Sequence, residues 1–145
     1  MKGYYKMPEE TAKMFTEDGW LKTGDLGKID SEYYVVLCGR AKNMIVTSGG
    51  KNVYPEEIED AFQLCDEIQQ IVVQGYTTKE DETSEEIEAL IYPSDSAYEA
   101  LGQKREEDYN SAQINERIQN EVSKVNKTLQ PYARITRITI LENPL

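Results

Sequence analysis

The chain has 145 residues, of which 39% are hydrophobic and 30% charged, with a formal net charge of −11 and no histidine. This length and composition fit one globular domain, or one domain together with part of another. The acidic balance disfavours binding to a phosphate backbone, so we expect no nucleic-acid partner, and the lack of histidine excludes a histidine-dependent catalytic triad.

The first forty residues predict a short β-rich segment. Pro8, followed by two acidic residues, favours the start of a short helix that ends before the turn at Asp18 and Gly19. A few small strands bury too little to be stable alone, so we expect residues 1–40 to be the C-terminal end of a larger domain. The expected strands cover residues 20–23, 26–29 and 33–37.

From residue 41 onward the pattern predicts a second, α+β domain over residues 41–145. The element order β-β-α-β-β-α-β, starting at residue 43, predicts a small mixed sheet covered by two main helices. Pro55 opens the first helix, and Asn110 or Ser111 caps the second, which Pro131 ends. The expected strands cover residues 44–46, 51–54, 68–76, 86–92 and 134–141. The expected helix faces are Ile58, Ala61, Phe62 and Cys65, then Ile114, Ile118, Val122, Val125 and Leu129.

The remaining segments are polar. Residues 93–109 are expected to be irregular, with a short helix near residues 98–101. Two acidic clusters are interpreted as solvated loops and helix ends. They comprise Glu80, Asp81, Glu82, Glu85, Glu86 and Glu88, and then Glu106, Glu107 and Asp108.

The two cysteines, Cys38 and Cys65, lie in apolar surroundings without metal-ligand spacing. We therefore expect no zinc site and interpret them as buried free thiols of a cytoplasmic protein. No apolar run approaches the ~20 residues that cross a bilayer, so no transmembrane segment is expected.

Several side chains are candidates for chemistry. Asp25, in the string TGDLG, carries a carboxylate that can accept hydrogen bonds from two hydroxyl groups, although a turn aspartate is the commoner role for such a residue. Arg40 offers a planar fork of donors. The string SGGK at residues 48–51 lacks the spacing of a P-loop, and its residues indicate a hairpin with both glycines at positive φ.

Two longer strings carry a specific resemblance: DGWLKTGDLGKID at residues 18–30 and GRAKNMIVTSGGKNVYPEEIE at residues 39–59. With MKGYYKMPEET before them, they resemble the adenylate-forming enzymes, and in particular the acyl-CoA synthetases that act on long-chain fatty acids. The similarity is specific over residues 1–59 and depends on element order alone after that. It implies that the full enzyme uses Mg²⁺ and ATP to convert a fatty acid to acyl-AMP, which then reacts with CoA.

The resemblance also implies residue roles. Asp25 and Arg40 match the positions that contact the ribose of ATP, and Lys42 matches the hinge about which the small domain rotates. Gly49, with Gly50 and Lys51, matches the hairpin that faces CoA during thioester formation. The 54–59 string YPEEIE is expected to be structural, with proline and acids at the start of a helix.

Two departures from the family pattern stand out. Tyr33 occupies a position where many relatives have a turn glycine, which predicts a different turn. The lysine that orients the adenylating phosphate is expected to follow the last strand, and residues 142–145 end before it. We therefore assign no catalytic residue and no metal ligand to this chain, and expect it to be inactive by itself.

Two alternatives stay open. In the first, the chain is a free-standing acidic interaction module of the same ancestry, which predicts a gene ending near Leu145; a ligase predicts several hundred further residues upstream. Alternatively, the full enzyme transfers its acyl group to a carrier protein or another nucleophile.

Overall fold

The computed structural model describes residues 1–78 and 81–145, with the backbone alone described for residues 81–84. The chain divides into two compact units, Met1–Lys42 and Asn43–Leu145. The second unit contains all of the buried residues of the hydrophobic core.

The first unit is a short helix followed by a β-hairpin. Helix α1 spans Pro8–Lys13, with its proline in the first turn as predicted. Strands β1 (Asp25–Ile29) and β2 (Val35–Arg40) pair antiparallel. No side chain of residues 1–42 is buried, so this unit has no core of its own.

Two strand predictions in this unit need correction. Residues 20–23 do not form a strand, because Trp20 pairs locally: its amide donates to the Thr16 hydroxyl and its carbonyl accepts from the Thr16 amide. The second hairpin strand begins at Val35 rather than residue 33, because Tyr33 lies in the turn with φ of 65°. Tyr33 thus adopts the left-handed conformation that glycine adopts without strain.

The second unit confirms the α+β prediction. Its strands are β3 (Ile45–Val46), β4 (Asn52–Val53), β5 (Ile68–Thr78), β6 (Asp81–Pro93) and β7 (Arg137–Ile140). The last three form a mixed sheet of order β5-β6-β7, in which β6 pairs antiparallel with β5 and parallel with β7. A separate two-stranded hairpin, β3-β4, precedes the sheet. The helices are α2 (Pro55–Asp60), α3 (Asp95–Glu99), α4 (Arg105–Asp108) and α5 (Ala112–Asn126), with a 3-10 turn at Pro131–Ala133.

Helix α5 supplies the predicted apolar stripe. Its residues Ile114, Ile118 and Val122 are buried, and the Ser111 hydroxyl accepts a hydrogen bond of 3.3 Å from the Ile114 amide. Of the two predicted caps, Ser111 is therefore the one used. These side chains pack in one core with those of the hairpin, α2 and the sheet.

Helix α2 is shorter than predicted. It ends at Asp60, because the next amides bond three residues back, as from Ala61 to the Ile58 carbonyl. This tighter winding rotates the following side chains, since a 3-10 turn has 3.0 residues per turn. Ala61 is consequently exposed, whereas Ile58 and Phe62 are buried as predicted.

The polar segments are more regular than predicted. Arg105 begins the unpredicted helix α4, and its guanidinium lies over the rings of Tyr92 and Tyr98 while bonding to the Pro93 carbonyl. Strand β6 already begins at Asp81, so the first acidic cluster is not simply a loop. Glu80 lies outside the described residues, as do the side chains of residues 81–84.

Candidate functional site

Asp25 and Arg40 are brought together by the hairpin of the first unit. They are register partners at the open end of β1 and β2, and their side chains form an ion pair. The ladder continues one step further, because the Ala41 amide donates to the Gly24 carbonyl at 2.9 Å. Two residues 15 positions apart in sequence thus present opposite charges at one point.

This pairing keeps Asp25 in its charged form. Hydrogen bonding by the Arg40 guanidinium, and secondarily by the Thr23 hydroxyl, lowers the pKa of the Asp25 carboxyl below its ordinary value. About a third of the Asp25 side chain and over half of the Arg40 side chain remain accessible, at 33% and 58%. A charged carboxylate has about four acceptor sites, and Arg40 Nη1 donates to one oxygen, Oδ1, of Asp25, so the pair suits recognition of a diol.

Lys42 occupies the boundary of the two units. It is the last residue of the first unit, and Asn43 is the first residue of the second. Residues 41–43 form a turn rather than a strand or helix. Asn43 is attached to its own unit through a hydrogen bond of 3.4 Å from its side-chain amide to Glu56.

The tip of the β3-β4 hairpin contains Gly49, Gly50 and Lys51. The Gly50 amide donates to the Thr47 carbonyl at 2.8 Å, and the Thr47 amide donates to the Lys51 carbonyl at 3.0 Å. Gly50 has φ of 65°, in the left-handed region that glycine adopts without steric cost.

Gly49 differs from its neighbour, which corrects the prediction that both glycines have positive φ. Its φ lies outside the left-handed region, and a Cβ built on it meets only the Cγ of Lys51, at 4.0 Å. The fold of this unit therefore accepts a side chain at Gly49.

The hairpin and the end of β7 lie at opposite ends of the sheet. Thr47 forms a β-bridge with Glu85, near the start of β6, whereas Ile140, the last residue of β7, pairs with Ile91. Because β6 and β7 run parallel, the chain leaves β7 beside Ile91, about 20 Å along β6 from the hairpin at ~3.3 Å per residue. The second unit thus has the hairpin at one end of its sheet and the last residue of β7 at the other end.

Glu59, the last residue of the string YPEEIE, has a role that the sequence does not indicate. Its carboxylate accepts a hydrogen bond of 2.7 Å from the Val73 amide on β5, the outer strand of the sheet. Burial raises the pKa of the Glu59 carboxyl; the hydrogen bond from Val73 opposes this, and the charges of Glu56 and Asp60 add to it.

A pH-dependent stability follows from Glu59. Since its folded-state pKa is raised, the folded protein holds the proton more tightly than the unfolded chain, and the free energy of unfolding falls as the pH rises from the ordinary glutamate value of about 4.3 through the raised one. Glu59→Gln keeps an acceptor for Val73 without the charge. We expect this variant to be more stable than the wild type near neutral pH, with the difference vanishing near ~pH 4.

Urea unfolding at a series of pH values measures this difference. Glu57→Gln, which removes an exposed charge from the same helix, controls for net charge. A stability gain for Glu59→Gln that grows as the pH falls would contradict the assigned cause.

The two cysteines are free, as predicted, but half-buried rather than buried. Burial raises the pKa of the Cys65 thiol above its ordinary value, which disfavours the reactive thiolate. Among the side chains that the structure describes, at residues 1–78 and 85–145, no group of three or more carboxylates and thiols could hold a metal ion. Within the same residues, no helix has the length and apolar character to cross a membrane.

Comparison with known families gives one match over most of the chain. The family model for the AMP-binding enzyme C-terminal domain matches residues 42–144. That range covers the β3-β4 hairpin, the sheet and all helices from α2 to α5.

Curated relatives match a shorter part of the chain. The long-chain-fatty-acid–CoA ligase of Bacillus subtilis (strain 168) is 48% identical over 75 residues, which are 52% of this chain and 13% of that ligase. The mitochondrial medium-chain acyl-CoA ligase ACSF2 of Bos taurus is 38% identical over 91 residues, or 63% of this chain and 14% of that protein. The chain thus corresponds to about a seventh or less of these relatives.

A solved structure matches nearly the whole chain. The adenylation domain of the carboxylate reductase from Mycobacterium chelonae aligns with 99% of this chain and 21% of its own, with a TM-score of 0.78 and 28% identity. The similarity covers both compact units.

Proposed function

Because the match over residues 42–144 makes this chain a member of the AMP-binding enzyme C-terminal domain family, we propose that it belongs to an AMP-forming acyl-CoA synthetase. In this proposal residues 1–40 end the large domain that binds ATP and the acyl chain, and residues 41–145 are the mobile small domain. The full-length enzyme, meaning the gene product that contains this sequence, is the catalyst.

The proposed reaction has two steps. A carboxylate oxygen of the fatty acid attacks the α-phosphorus of ATP, which forms acyl-AMP and releases pyrophosphate. The thiolate of CoA then attacks the acyl carbonyl carbon, and AMP leaves with the electron pair of the broken C–O bond. Mg²⁺, held outside this chain, supplies charge neutralisation for the phosphates.

Asp25 and Arg40 bind the nucleotide in the first step. The ionised carboxylate of Asp25 accepts hydrogen bonds from the two ribose hydroxyls, and Arg40 orients that carboxylate while offering donors of its own. Binding through the ribose positions the α-phosphate without touching the reacting atoms, and such positioning lowers the entropic part of the barrier.

The hairpin tip serves the second step. Gly49 has no side chain and no conformational need to lack one, which supports a role in leaving room for the pantetheine arm of CoA. Lys51 is exposed beside it and provides a cation for a CoA phosphate. The chain leaves β7 at the other end of the sheet, and a lysine loop there would serve adenylation.

One observation carries the proposal: the Asp25–Arg40 pair lies two residues before the chain passes from one compact unit into the next at Lys42 and Asn43. A nucleotide contact beside a unit boundary couples the bound adenylate to rotation of the small domain. An acidic interaction module would have no use for this arrangement.

In this proposal the acyl group is chosen by parts of the enzyme beyond this chain, and the acceptor is chosen partly by them. The curated relatives include ligases for long and medium acyl chains, and we propose a long-chain fatty acid as the substrate. Similarity to the adenylation domain of a carboxylate reductase makes a different acceptor an outcome of the test below.

Pyrophosphate exchange tests the first step and the role of Asp25. We expect the full-length enzyme to catalyse ATP–pyrophosphate exchange with fatty acids, and to release AMP and consume thiol when CoA is added. Asp25→Asn should slow the exchange by about tenfold or more, because it removes a charge-assisted hydrogen-bond acceptor, and should raise the KM for ATP. Glu32→Gln, an exposed change in the same hairpin, should leave both unchanged.

The outcomes separate the alternatives. Exchange without thiol consumption indicates a carrier-protein or other acceptor. A protein that shows no exchange with any acid of a broad panel is not a ligase, and an Asp25→Asn variant with wild-type exchange refutes the ribose contact.

A further inference from the structure

The β3-β4 hairpin is joined to the sheet through Glu85. The Glu85 carboxylate accepts a hydrogen bond of 3.0 Å from the Val46 amide, 39 positions earlier in the chain. The backbone of Glu85 also forms a parallel β-bridge with Thr47. One residue of β6 therefore holds the hairpin just before its glycine tip.

The Val46 amide depends on this contact because of strand geometry. Val46 pairs with Asn52 across the hairpin. The next amide along the chain, that of Thr47, donates across the hairpin to the Lys51 carbonyl. Successive amides of a strand point to opposite sides, so the Val46 amide points out of the hairpin. Glu85 supplies the acceptor that the hairpin itself lacks.

A glycine on the neighbouring strand makes room for the carboxylate. Gly75 pairs with Ile87 and lies diagonally opposite Glu85 on the same face of the sheet. A Cβ built on Gly75 would lie 2.9 Å from the carboxylate carbon of Glu85 and 3.0 Å from the oxygen that accepts from Val46. Any side chain at this position must displace the carboxylate.

The hairpin needs an external support to hold its tip in one direction. Each of its strands has two residues, and an isolated pair of short strands is unstable. Ile45 and Val53 anchor its base in the core, but residues 47–51 lie beyond that base. Among the described residues, Glu85 joins the sheet to the hairpin at Val46 and Thr47, directly before the tip.

We propose that Glu85, seated over Gly75, is a positioning residue for the hairpin tip at Gly49. It touches no substrate and acts through Val46 and Thr47. Its consequence for thioester formation rests on the function proposed above, whereas its effect on the hairpin does not.

Amide hydrogen exchange in the 145-residue chain tests the effect on the hairpin. Glu85→Ala should speed exchange of the Val46 amide by about tenfold or more, since the lost hydrogen bond is its protection. Glu85→Gln, which keeps a side-chain acceptor, should restore most of it. The control is Glu86→Ala, because the neighbouring Glu86 carboxylate accepts from the Tyr76 hydroxyl instead. This variant should leave hydrogen exchange of the Val46 amide unchanged.

A double-mutant cycle tests the role of Gly75. Gly75→Ala should also speed exchange at Val46, because its methyl group displaces the carboxylate. In the Glu85→Ala background the same change should add less than about twofold, because the displaced group is gone. Additive effects, unchanged exchange at Val46, or equal acceleration at the core amide of Ile118 would each overturn the positioning role.

The full-length enzyme tests the consequence for catalysis. Glu85→Ala should lower kcat for thioester formation more than it lowers pyrophosphate exchange, and Glu85→Gln should restore it. A full-length protein that shows no pyrophosphate exchange refutes the proposed ligase function. The double-mutant cycle on hydrogen exchange at Val46 still tests whether Glu85 positions the hairpin. If a variant shows faster hydrogen exchange at Val46 but forms the thioester at the wild-type rate, the consequence for catalysis is refuted and the positioning role of Glu85 stands.

Discussion

Replacing Gly49 with leucine in the full-length enzyme is expected to lower thioester formation by about a hundredfold or more, with far less effect on pyrophosphate exchange. We expect this variant to fold, since a Cβ at Gly49 meets only Lys51, at 4.0 Å, and the φ of Gly49 lies outside the left-handed region. Loss of activity must then come from the side chain blocking CoA, and a factor of one hundred corresponds to about 2.7 kcal/mol of transition-state binding.

Gly50 provides the matched comparison. Gly50→Ala places a Cβ at φ of 65°, which costs about 1–2 kcal/mol of stability. Gly49→Ala should leave the urea midpoint unchanged and affect thioester formation less than leucine does. Thioester formation at the wild-type rate by Gly49→Leu, measured as loss of free CoA thiol, would exclude Gly49 from the CoA path.

Lys42→Pro is expected to lower thioester formation as strongly as Gly49→Leu does, while adenylation is largely kept. Proline holds φ near −65° and restricts the preceding residue, so the turn at residues 41–43 loses the freedom that a rotation requires. Adenylation comes before the rotation and thioester formation after it. Exchange should therefore be largely kept, while acyl-CoA formation falls by about a hundredfold, a change of ~2.7 kcal/mol in the barrier.

Lys42→Ala distinguishes a role of the Lys42 backbone as a hinge from a role of its side-chain charge. It keeps backbone freedom and removes the ammonium group, so both half-reactions should stay close to the wild type if Lys42 acts as a hinge. Single-turnover assays of acyl-AMP and acyl-CoA measure the two steps separately. An equal loss of both steps in Lys42→Pro, with unchanged unfolding, would refute the hinge.

The parts of the fold that the sequence predicted are those with local causes. The stripe of α5 follows the 3.6-residue period and is buried at Ile114, Ile118 and Val122. Helix starts at Pro8 and Pro55 follow from proline geometry. For the site, the motif strings identified Asp25, Arg40, Lys42 and the hairpin glycines before any coordinates; their roles remain proposals.

Two of the errors occurred where a side-chain contact overrides the local pattern. Residues 20–23 have strand-forming composition, but the Thr16 hydroxyl and amide satisfy the backbone of Trp20. Helix α4 lies in a polar stretch with no apolar period and is held through Arg105 on two tyrosine rings. Neither contact produces a pattern in the sequence.

The sequence by itself determined the family, the α+β class and the candidate residues, because periodicity, turn chemistry and motif order are properties of neighbouring residues. Only the tertiary structure decided which hairpin glycine is left-handed, that Asp25 and Arg40 pair, and that Glu59 and Glu85 accept from the amides of Val73 and Val46. These contacts join residues 14 to 39 positions apart, and a buried or strand-edge amide gains its partner only when the packed sheet brings a carboxylate to it.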